Sequence, residues 1–86
     1  FAVNGSTINA YGANCSNAVS FGIYAAHGST INAYGAIVQN QTSGTARVIV
    51  QAGSTVSAAA INTTGGTVAV FSQAVNTLTS NGIIYQ

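Results

Sequence analysis

The sequence predicts an all-β fold, a parallel β-solenoid with two strands per coil and about three and a half coils, with residues 1–86 forming one repeat domain. Three observations carry this expectation. Residues 5–13 read GSTINAYGA, and residues 28–36 repeat that nonapeptide without change, 23 positions later. Within each copy apolar and polar residues alternate with the period of a strand. Nine Val, eight Ile and ten Thr stand against one Leu, and these β-branched side chains, stiff at χ1, suit a pleated surface.

The repeated nonapeptide defines the first kind of strand, called A. Residues 53–61 (GSTVSAAAI) are a degenerate third copy 25 positions further on. Residues 76–82 (NTLTSNG) align as a fourth when Thr77 is set under Thr55. The columns then read Thr7, Thr30, Thr55, Thr77 and Ile8, Ile31, Val56, Leu78. Alternation turns Ile8 and Ala10 inward, and Thr7, Asn9 and Tyr11 outward.

The second kind of strand, B, lies between the A copies. Residues 44–52 (GTARVIVQA) match residues 66–74 (GTVAVFSQA) 22 positions later. Residues 17–25 join them through Val19, Phe21, Ile23 and Ala25, and Phe1 and Ala2 sit where Tyr24 and Ala25 end a B strand. Val48 and Val50 should face inward, with Arg47, Ile49 and Gln51 on the outer face. Each coil buries only a thin apolar stripe, so about three coils are needed for a stable core. A sandwich of seven short strands competes with this arrangement, but a sandwich does not require matched columns.

Corner residues agree with a winding chain. Asn4-Gly5, His27-Gly28, Ala52-Gly53, Gly65-Gly66 and Asn81-Gly82 supply the positive φ of tight corners, and no proline interrupts a ladder. The A-to-B corner runs from short (residues 13–16) to longer (residues 39–43), as expected where insertions face solvent.

Composition excludes much chemistry. The chain has no Asp or Glu, one Arg, no Lys, one His and one Cys. Without carboxylates there is no acid/base pair, no Ser-His-Asp triad and no oxygen cage for Ca²⁺ or Mg²⁺. One His and one Cys cannot complete a zinc site within one chain. No cofactor is expected, and the chain does not read as an enzyme. A net charge of +1 gives no footprint for nucleic acid. No apolar run approaches the roughly 18 residues of a membrane helix, so no membrane insertion is expected.

Charge normally keeps subunits apart, and a chain this neutral should associate. Neither end reads as a cap, and unpaired β edges template the addition of another chain. The expected partner is therefore the chain itself, stacked head to tail. The alternative is a piece of a longer protein whose caps lie elsewhere; either way the segment is a structural rod.

Two groups of residues are candidates for further roles. Asn4, Asn14, Asn40 and Asn62 each open an N-x-[ST] sequon, and covalent glycans there would solubilise an uncharged surface. Asn14, Asn40 and Asn62 all fall in the A-to-B corner, one per coil, in a region that is Asn-rich in any case. The outward A face presents Thr7-x-Asn9, Thr30-x-Asn32, Thr55-x-Ser57 and Thr77-x-Thr79. This array resembles the flat Thr-x-Thr rows of ice-binding β-solenoids; the alternative is a solvated ladder of strand formers. Cys15 is an unpaired thiol at a corner, and neither His27 nor Arg47 has a partner that would tune it.

The Gly-Ser-Thr-aliphatic-x-Ala pattern with its Gly-Ala corner resembles repeat units of phage tail fibres and bacterial surface adhesins. Gln51-x-Gly53 and Gln73 after Val-rich strands are distantly similar to curli-type repeats. The resemblance implies a fibrous structural role outside the cell or on a virion or cell surface. A binding module, either an adhesin or tail-fibre shaft or an ice-binding face, is the alternative function.

Overall fold

A computed structural model describes residues 1–17 and 21–86, and Val19, expected to align the first B strand with the others, lies outside the described residues. The chain is a parallel β-solenoid. Strands β1 (Thr7–Asn9), β3 (Thr30–Asn32), β5 (Ser54–Ser57) and β6 (Gly82–Tyr85) stack in that order as one sheet, while β2 (Ile23–Ala25) and β4 (Val48–Val50) form a second. Every pairing within these sheets is parallel.

The nonapeptide repeat sets the register of the first sheet. Thr7, Thr30 and Thr55 stand in one column, and Ile8, Ile31 and Val56 in the next. The inward column is continued by Ile84, and Ile31, Val56 and Ile84 are all buried. With Ala33, Ala58, Val48, Val50 and Ile23 they form the core between the two sheets. A column of serines flanks it: the backbone N–H of Ser6 donates to Ser29 Oγ and that of Ser29 to Ser54 Oγ, each at 3.2 Å. Ser29 and Ser54 are thus buried with their hydroxyls engaged, as buried polar groups require.

Three expectations from the repeat need correction. The fourth rung is not residues 76–82. Gly82 pairs with Ser54, Ile83 with Thr55, Ile84 with Val56 and Tyr85 with Ser57. Leu78 is 77% exposed and takes no place in the inward column. The second correction concerns the first B strand, where Ile23 pairs with Val48 and Ala25 with Val50 rather than two residues further along. The corner explains why. His27-Gly28 and Ala52-Gly53 turn alike, with φ of 56° and 74° against 51° and 77°, and a strand entering stacked corners must share their offset. The slide is by two, so the inward face is kept. On the next coil Val48 pairs with Phe71, one residue from the expected position, which reverses the faces and packs Phe71 against the core.

A third row of parallel bridges, Asn14 to Ile37 to Asn62, occupies what reads in sequence as the A-to-B corner. Each winding therefore turns three times. Gly12, Gly35 and Ala60 stack at one corner with φ of 66°, 68° and 56°; Asn17, Asn40 and Gly65 stack at the next with φ of 62°, 63° and 74°. Ala60 is the one member of its column that carries a Cβ in left-handed backbone, a conformation costing an L-residue about 1 kcal/mol. Ala60→Gly should therefore raise stability, by up to about 1 kcal/mol, less the added chain entropy of glycine. Urea denaturation of the two proteins checks it, and a lower midpoint for the glycine variant would refute the strain argument.

Candidate functional site

The outward face of the first sheet carries six of the eight residues expected on it. Thr7, Thr30 and Thr55 form one column and Asn9, Asn32 and Ser57 the other. The amide of Asn32 donates to Asn9 Oδ1 at 2.7 Å, a rung of an asparagine ladder. The fourth rung departs from the expected pattern: Ile83 and Tyr85 stand where Thr77 and Thr79 were placed. The one Thr-x-Thr pair of the array is therefore off the face. Thr79 instead donates its hydroxyl to Gln73 Oε1 at 2.9 Å, and Thr77 donates its own to Val75 O at 3.3 Å. Tyr11 and Tyr34, two residues beyond Asn9 and Asn32, are 68% and 60% exposed.

The four sequon asparagines are all exposed. Asn14 and Asn62 share the third row of bridges, with Ile37 between them. Asn40 stands in a different column, at the corner above Gly65, so the three do not form a single line. Asn62 Oδ1 accepts from Gln39 Nε2 at 2.9 Å, and Asn14 Oδ1 accepts from the backbone N–H of Ser16 at 3.0 Å. These contacts engage the side-chain oxygens, whereas an N-linked glycan would be attached at Nδ2. Asn4 lies at a corner with φ of 57°, on the approach to β1.

Arg47 is not on an open outer face. It is 4% exposed, its Nε donating to Val68 O at 3.2 Å and a terminal nitrogen to Thr63 O at 2.5 Å. The guanidinium thus ties the loop after the third A strand to the B sheet, a structural use of the chain's single arginine. Around β2 the outer surface is aromatic: Phe1 stacks on Tyr24 at 5.0 Å, and Phe21 meets Tyr24 edge-on at 5.0 Å. The Tyr24 hydroxyl donates to Gln51 Oε1. Cys15 is a free, half-buried thiol that packs against the core.

Among the described residues there is no cleft or cavity, and no group of three metal-ligating side chains. Nor does any helix there have the length and apolar character to cross a membrane.

The outer edge of β6 is covered by residues 73–81, part of which the repeat pattern predicts to be a rung. In a parallel strand alternate residues bond to opposite neighbours. Asn81 O accepts from the N–H of Ser54 and Tyr85 O from that of Ala58, just past β5, so Gly82, Ile84 and Gln86 direct their backbone groups away from that strand. Each of these three is engaged by residues 73–81. Gln73 Nε2 donates to Gly82 O at 2.9 Å, and Gly82 and Thr79 exchange two backbone bonds at 3.0 Å. The Asn76 N–H donates to Ile84 O at 2.7 Å, Gln86 N–H donates to Asn76 Oδ1 at 3.0 Å, and Asn76 Nδ2 donates to Gln86 O at 3.3 Å. The expectation of an open end is therefore corrected at β6. A fold-over of this kind leaves no periodic mark in a sequence; the signal that could have found it is the pair of amides, Gln73 and Asn76, flanking a stretch that fits the repeat poorly.

The fold and this covered edge define the class, a three-cornered parallel β-solenoid with one sheet edge closed by its own chain. Comparison with protein-family models, with curated proteins and with solved structures found nothing that matches this chain.

Proposed function

We propose that this chain is a noncatalytic structural subunit of an extracellular fibre, which assembles by axial stacking of its coils and carries N-linked glycans. The observation that supports it most is the register of the first sheet, in which the same rung is laid down repeatedly: Thr on Thr on Thr, and Ile on Ile on Val on Ile. A ladder whose rungs repeat can be extended by another copy of itself, because each new rung buries the same apolar stripe. Charge does not oppose this, since the formal net charge is +1. Composition supports the noncatalytic reading, there being no carboxylate to act as acid or base.

At high concentration the chain should form filaments visible by negative stain, with a fibre reflection near ~4.8 Å along the axis. A folded chain that remains monomeric at every concentration tested refutes the fibre reading. For the glycans, native material should lose mass on treatment with an amidase that releases N-linked sugars, with conversion of Asn to Asp at Asn4, Asn14, Asn40 or Asn62; an unchanged mass refutes them. The ice-binding alternative is not favoured, because the rung that carried Thr in both columns lies off the face.

A further inference from the structure

We infer that residues 73–81 are a plug on the extendable edge of the first sheet, and that the β6 edge beneath them is the docking site for the β1 edge of a second copy of this chain. This deepens the fibre reading and rests on it. The edge has the form of a docking site because its column is complete. Ile84 is fully buried and continues the line of Ile8, Ile31 and Val56, so the next rung of that line would be another Ile8. In β1 itself Ile8 is only half-buried, and Thr7 and Asn9 turn their backbone groups away from β3. The two edges are complementary: parallel, in the same column register and both uncharged.

What stands between them is held by polar contacts at the surface and by one apolar anchor, Val75, which is half-buried and packs against the core. Leu78 at the tip of the plug is 77% exposed, and residues 76–81 are exposed throughout. Gln73 and Asn76 provide the side-chain grips, on Gly82 and Gln86. Covering a sheet edge with a loop is a recognised guard against edge-to-edge addition. Loosening these grips should therefore lower the concentration at which copies add, without altering the columns beneath.

The test uses the whole chain and three variants, followed by sedimentation velocity and light scattering across a concentration series, with far-UV circular dichroism as the check on folding. Gln73→Ala/Asn76→Gly removes both side-chain grips while leaving a residue at position 76 that accepts positive φ. It should assemble at a threshold at least tenfold below that of the unaltered chain. Adding Asn9→Pro, which removes an N–H from the outer edge of β1 where proline is tolerated, should restore the higher threshold. Equal thresholds for the unaltered chain and the double variant overturn the plug while leaving the fibre reading intact. Undiminished assembly with Asn9→Pro overturns the β1–β6 docking. Absence of assembly by any folded form defeats the fibre reading itself. If the double variant unfolds, Gln73→Ala alone, which keeps the three Asn76 bonds, should still lower the threshold measurably, and no difference from the unaltered chain overturns the proposal.

Discussion

Gly82→Ala should detach the last rung of the first sheet and cost about 4 kcal/mol or more, well beyond an ordinary glycine substitution. A Cβ on Gly82 would lie 1.8 Å from Ser54 O, 2.7 Å from Ser54 N and 2.8 Å from Ser54 C. These are backbone atoms that cannot rotate aside, and the φ of 120° at this position is itself unfavourable for an L-residue. With β6 displaced, Ile84 leaves the core, and Asn81 O and Tyr85 O no longer accept from Ser54 and Ala58. Gly53→Ala is the matched control. Gly53 has a φ of 77° with open space where the Cβ would go, so only backbone strain of about 1 kcal/mol applies. Urea denaturation of both variants reads the difference, and equal losses would show that the close approach to Ser54 carries no weight.

Gln41→Met should stabilise the chain by about 2 kcal/mol, an unusual sign for a buried substitution. Gln41 is fully buried, and among the described residues neither Oε1 nor Nε2 has a hydrogen-bond partner. An amide taken from water without compensation keeps its desolvation cost, and methionine fills a similar volume without that cost. The Gln41 carbonyl accepts from the N–H of Thr67 and of Val68, and those backbone bonds survive the change. The denaturation midpoint should rise with the slope unchanged. A midpoint below that of the unaltered chain would mean that the amide is satisfied in solution and contributes to the fold.

How much of this was legible depended on how well a segment repeats. The identical nonapeptide places Thr7 over Thr30 and Ile8 over Ile31, and the degenerate copy still places Thr55 and Val56 in line. Those columns are readable because alternation and glycine-bearing corners mark each rung independently. Where the repeat decays the reading slips. Thr77 and Leu78 look like a rung by composition, yet Gly82 is the residue small enough to lie against Ser54 O, and Ile84 supplies the buried side chain. For the candidate site the result is mixed: Thr7, Asn9, Thr30, Asn32, Thr55 and Ser57 lie on the face as expected, whereas Thr77 and Thr79 belong to the plug. Arg47 was misplaced for a related reason. Alternation puts it outward, but only the path of residues 63–68 brings two carbonyls over it.

Period and side-chain shape, both local properties, were enough to establish a parallel winding, an Ile/Val interior and a Thr/Asn outer face. Three-dimensional contact alone settled the third row of bridges, the sliding of β2 against β4 and the closure of the β6 edge. Each of these rests on which backbone groups find partners and where a Cβ has room, quantities that exist only once distant segments have met.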